Sequence, residues 1–141
     1  MSTGPDRQAE DRNAKGLLYF QIAAGLFTVL VLVQAVLGGR GWFIDFDLID
    51  IHGMVGNLVF LNAVAMVAIA RFAMPESNER KTLVIMSGLL VLLVVAQIAL
   101  GYSATSSDSP SAEAASLHIP NGVLIFGLAV AIDARVFGRK S

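Results

Sequence analysis

The chain has 141 residues, of which 55% are hydrophobic and only 15% charged, with a formal net charge of −1. It contains no cysteine, which excludes disulfides, iron–sulfur clusters, thiolate zinc sites and covalently attached c-type haem. The near-neutral charge, with no basic stripe, offers nucleic acid no footprint.

The apolar residues are gathered into blocks, each close to the roughly 20 helical residues that cross a bilayer. The first block runs from Gly16 to Leu37, behind a polar segment over residues 1–15. A signal peptide is the competing reading, but the run is too long and the leading region too acidic. The second block, Ile51 to Ala70, stays helical through Gly53 and Gly56, because a backbone in lipid must satisfy its own hydrogen bonds. The third runs from Leu83 to Leu100 and the fourth from Leu117 to about Ile132, before a short tail over residues 138–141. The expected fold is all-α, a transmembrane four-helix bundle over residues 16–137.

Lys and Arg give the orientation. Arg7, Arg12, Lys15, Arg71, Arg80, Lys81, Arg135, Arg139 and Lys140 share the side that holds both termini, whereas Arg40 is alone on the other. Both termini are therefore expected in the cytoplasm, with the inner membrane of a bacterium as the setting. The opposite side carries Asp45, Asp47, Asp50, Asp108 and Glu113, with Trp42 and Phe43 where interfacial aromatic anchors sit.

The chain also repeats itself. Gln34-Ala-Val-Leu-Gly38 closes the first block and His52-Gly-Met-Val-Gly56 opens the second; Gln97-Ile-Ala-Leu-Gly101 and His118-Ile-Pro-Asn-Gly122 do the same for the third and fourth. A shift of 66 positions carries His52 to His118, Gly56 to Gly122, Val59 to Ile125, Ala63 to Ala129 and Met66 to Ile132. Steps of three and four residues place these positions on one helix face. Two hairpins, at about residues 16–71 and 82–135, would then be related by a pseudo-two-fold axis along the membrane normal. That axis brings the only two histidines to one depth near the outer leaflet, an arrangement suited to a ligand with two axial donors, haem first.

Around this pair, Gly56 and Gly122 lie where a larger side chain would meet a porphyrin, and Ala63 and Ala129 are also small. Gln34 and Gln97 lie at the histidines' depth with hydrogen bonds to offer, and Arg40 is an external cation for a propionate. Each feature has a plainer reading: interfacial histidines, small residues that pack helices, glutamines as interhelical glue and an arginine that snorkels to headgroups. Other metals have less support, since no His-x-x-x-His spacing is present among the nearby carboxylates. Asp133, near the cytoplasmic end of the fourth span, reads as a structural acid neutralised by Arg71 or Arg135.

A Gln-x-x-Leu-Gly exit followed by a histidine that opens the next span, used twice, resembles one half of a haem A synthase. It is similar also to small uncharacterised four-span bacterial membrane proteins. The resemblance runs from about Tyr19 to Arg135 and implies that His52 and His118 are axial ligands of haem b. Position 49 is isoleucine where the synthase's catalytic half carries glutamate, which argues against haem-methyl oxidation. Two strong axial ligands leave no open iron position, so the expected role is electron transfer, alone or within a larger respiratory or oxidoreductase complex. The alternative is a cofactor-free accessory subunit of a membrane complex.

Reporters fused to either terminus should be cytoplasmic and a tag between Ser103 and Ser116 external. Opposite sidedness of the two termini would defeat the four-span reading.

Overall fold

A computed structural model describes residues 5–106 and 109–138, with side chains from residue 10 onward. Asp108, Arg139, Lys140 and the Arg7 side chain, all used in the charge argument, lie outside what it describes. The described residues form four helices and no strand: α1 (Pro5–Phe43), α2 (Leu48–Ala68, continued by a π-helical turn over Ile69–Ala73), α3 (Asn78–Ala104) and α4 (Ala112–Phe137).

Each helix is long and apolar enough to cross a membrane, yet no more than 22% of any apolar window is buried inside the bundle. Ile85, Leu92 and Val123 point outward at 70%, 68% and 66% exposure. A water-soluble protein does not tolerate apolar surface on this scale, whereas lipid solvates it.

The elements begin and end for local reasons. Ser77 caps α3 by accepting from the Arg80 amide at 3.1 Å, and Ser111 caps α4 by accepting from the Ala114 amide at 3.1 Å. Glu79 and Glu113 place acid in those first turns, where the helix dipole favours it. Helix α1 starts well before the apolar block, so much of the polar N-terminal segment is helical.

The helices pack in a ring, α1 on α2, α2 on α3, α3 on α4 and α4 on α1, while the core separates the diagonal pairs. Val59, Ala63 and Met66 of α2, and Ile125, Ala129 and Ile132 of α4, all face inward and are buried. Ala63 and Ala129 are the small residues of these faces. They lie in the same buried cluster as Phe20 and Phe27, which are fully buried on α1. Small positions beside large ones let the helices close tightly, and in lipid such packing, rather than the hydrophobic effect, holds helices together.

At one end Gly16 of α1 approaches Ala73 so closely that a Cβ would run into the Ala73 carbonyl. Arg135 forms a two-pronged bond to Glu79 at 2.8 and 3.0 Å at the same end. Arg135 is therefore the partner of Glu79 and not of Asp133, whose Oδ2 accepts from Thr28 Oγ1 at 2.7 Å. Arg71 lies over the Phe72 ring, 5.5 Å from its centre. Neither arginine neutralises Asp133 in the way the sequence suggested.

Gly16→Val should cost about 1–3 kcal/mol by overpacking, read as a lower thermal midpoint in detergent. Gly25→Ala should be silent, because the nearest atom to its Cβ is Phe137 Cζ at 3.9 Å.

Candidate functional site

At the other end of the bundle, α2 and α4 face each other across the diagonal, and each carries its histidine within its first two turns, His52 four residues after Leu48 and His118 six residues after Ala112. The His52 and His118 rings lie 6.1 Å apart, centre to centre, with their planes inclined by 54°.

Each imidazole is held by the preceding helix in the same way. His52 Nδ1 lies 3.1 Å from the backbone oxygen of Gln34, and His118 Nδ1 lies 3.1 Å from that of Gln97. A carbonyl only accepts, so Nδ1 carries the proton in both rings, and in the neutral imidazole Nε2 keeps its lone pair. The glycine four residues after each glutamine makes this approach possible. A Cβ at Gly38 would stand 3.0 Å from His52 Cε1, and one at Gly101 would stand 3.3 Å from His118 Cε1. Thus in Gln-x-x-x-Gly the first residue supplies a carbonyl and the last a notch for the ring.

The glutamine side chains occupy the next layer. Gln34 Nε2 donates to the His52 carbonyl at 2.8 Å, and a Cβ at Gly56 would lie 3.1 Å from that nitrogen. A Cβ at Gly122 would lie 3.3 Å from Gln97 Nε2. Both glycines therefore make room for a glutamine amide, a closer neighbour than the porphyrin edge inferred from sequence.

The two halves then diverge. Asn121 donates to Gln97 Oε1 at 2.6 Å and to the Leu93 carbonyl at 2.9 Å. The residue 66 positions earlier is Val55, which has nothing to donate, and Gln34 Oε1 is buried without a partner. Pro120, inside α4, also has no equivalent in α2. Its missing N–H frees the carbonyl of Ser116 just before His118.

The structure thus brings His52, His118, Gln34, Gln97, Gly56 and Gly122 together, and adds Gly38, Gly101 and Asn121, to which sequence reasoning gave no role. The motif held the signal for Gly38 and Gly101, and Asn121 stands next to Gly122. Arg40 stands apart. It follows Gly38 by two residues, roughly 200° around the helix from the face that meets His52, and it is exposed. Ile49 lies against α1, with Cδ1 2.7 Å from a Cβ built on Gly41. Among the described residues, no group of three or more His, Cys, Asp or Glu side chains could hold a metal ion. Comparison with protein-family models, curated proteins and solved structures finds no match to this chain.

Gly38→Ala should push the His52 ring off the Gln34 carbonyl. In imidazole-labelled protein the His52 Nδ1 resonance should move while that of His118 stays. An unmoved His52 signal would show that the ring is not seated in this notch.

Proposed function

We propose that the chain is an integral protein of a bacterial inner membrane in which His52 and His118 are the two axial ligands of one haem b. The observation that carries this reading is the paired Nδ1-to-carbonyl bond at 3.1 Å on both rings, with ring centres 6.1 Å apart. Two imidazoles on one metal place their centres about 6 Å apart, from a bond of about 2.0 Å and the short distance from nitrogen to ring centre on each side. A histidine that ligates iron through Nε2 characteristically donates its other N–H to a carbonyl, which fixes the tautomer and raises ligand basicity. The donors fit a haem iron better than a bare ion, since the site has no third ligand among the described residues.

When bound, the haem supplies one-electron transfer at an iron with no vacant position. The chain's own residues do the rest. Gln34 and Gln97 orient the rings, Gly38 and Gly101 admit them, and the glutamine amides seated over Gly56 and Gly122 border the site. Arg40, exposed on another face of α1, is left outside it. The two equivalent histidine settings favour descent from a repeated hairpin, and the Lys/Arg bias favours cytoplasmic termini with the histidines near the outer surface. The role that follows is electron transfer near that surface, alone or as the haem-bearing subunit of a larger respiratory or oxidoreductase complex.

A second reading rests on the same atoms. His52 Nδ1 donates to the Gln34 carbonyl while Gln34 Nε2 donates to the His52 carbonyl at 2.8 Å, a reciprocal clasp between α1 and α2. A cofactor-free accessory subunit would use that clasp as interhelical glue.

Absorption spectra of the purified chain, before and after dithionite, separate the two. The haem reading expects a sharp low-spin b-type α-band, lost in His52→Ala and in His118→Ala, and slow, incomplete carbon monoxide binding. Gly56→Leu or Gly122→Leu should lower haem content without impairing insertion, as leucine is favourable in a span. Haem-free protein after expression with ample haem would leave the clasp as the better account. Rapid, complete carbon monoxide binding would refute the bis-histidine assignment.

A further inference from the structure

Amide side chains within a hydrocarbon layer need partners, and among the described residues of the four apolar blocks every amide side chain but one makes at least one hydrogen bond. Gln21 donates to the Val136 carbonyl, Gln34 to that of His52, Asn62 to that of Ala23 and Asn121 to that of Leu93, while Gln97 accepts from Asn121. All five residues are half-buried. Asn57 lies in the same kind of span, is exposed, and has no hydrogen-bond partner for its side chain among the described residues.

Depth makes this matter. Asn57 is six residues inside the start of its apolar block at Ile51, about 9 Å along a helix rising 1.5 Å per residue. The side chain is too short to reach the headgroups. It points away from Val59, Ala63 and Met66, which fill the bundle core. An amide left in hydrocarbon without a partner is costly.

We infer that the outward face of α2 is the contact between two copies of this chain, with the Asn57 amides hydrogen-bonded to each other at a two-fold axis along the membrane normal. The carboxamide carries both donor and acceptor, so it is complementary to itself, and a second copy satisfies it with no other sequence required. Gly53, one turn nearer the outer surface, supports the same face: a Cβ there would meet nothing within 4 Å, so its notch serves no contact inside the bundle. Gly53, Asn57, Leu61, Val64 and Ala68 are all exposed and recur at three- and four-residue steps, an uncharged ridge on which a second α2 can lie. Asp50 lies seven residues before Asn57 on this side, above the apolar block. Helices crossing at Gly53 and Asn57 diverge toward it, and water and salt screen the two carboxylates.

The test uses the full chain in phosphatidylcholine vesicles, with energy transfer between donor- and acceptor-labelled copies measured as lipid is diluted in. A monomer–dimer equilibrium is expected, with Asn57→Leu raising its dissociation constant about tenfold. Gly53→Ile should weaken it as well, and the Cβ that it adds meets no atom of the same bundle within 4 Å. The absence of native cysteine makes a second readout clean. Leu61→Cys and Val64→Cys should form intermolecular disulfides on oxidation in the membrane, and Ile85→Cys on the outer face of α3 should not. A chain that stays monomeric at every dilution would overturn the inference, as would a dimer unaffected by Asn57→Leu and Gly53→Ile, or α2 cysteines no more reactive than Ile85→Cys.

Discussion

In a bilayer a polar side chain has no water to turn to, and this bundle answers that constraint mainly with backbone carbonyls of neighbouring helices. Gln21, Gln34, His52, Asn62, His118 and Asn121 each bond a carbonyl on another helix. A helical carbonyl already accepts from the amide four residues on, but its second lone pair is free for such a bond. The polar residues therefore pin α1 to α2, α3 to α4 and α1 to α4. In surroundings where apolar contact between helices gains little over contact with lipid, these bonds and close packing set the register.

The histidine pair is the extreme case of this rule. Its geometry depends on a carbonyl, a glycine four residues later that removes the obstructing Cβ, and a ring from the next helix that fills the gap. Because the carbonyl consumes the Nδ1 proton, each ring presents its basic nitrogen elsewhere. The bond that locks the hairpin is thus the bond that, on the proposed reading, would prepare a ligand.

How much of this was legible depends on whether a feature is periodic or contingent. Four spans, the inward faces headed by His52 and His118, and the depth of Gln34 and Gln97 follow from block length and three- and four-residue spacing, and the structure places those residues accordingly. Spacing does not say what fills a small position. Ala63 and Ala129 lie in one buried cluster with Phe27, and Gly56 and Gly122 stand against glutamine amides, where sequence reasoning set a porphyrin beside the glycines. The pairing of Arg135 with Glu79 was also out of reach, since it depends on which way α4 is rotated against α3, although two-residue spacing on one helix already turns Arg135 away from Asp133.

The departures from symmetry are as informative as the symmetry. Both hairpins hold their imidazole by one carbonyl at 3.1 Å, yet the glutamine side chains are paired differently: Gln97 Oε1 accepts from Asn121, where the first hairpin has Val55, and Gln34 instead donates to the His52 carbonyl. Gln34 Oε1 consequently remains a buried acceptor without a donor beside His52. A helix-packing device alone would gain as much from satisfying that atom in one hairpin as in the other. The carbonyl bonds to the rings and the glycine notches coincide in the two hairpins, while the hydrogen-bond partners of the glutamine side chains differ. On the proposed reading, a ligand shared between His52 and His118 would constrain the two rings together and leave each hairpin to solve its own packing.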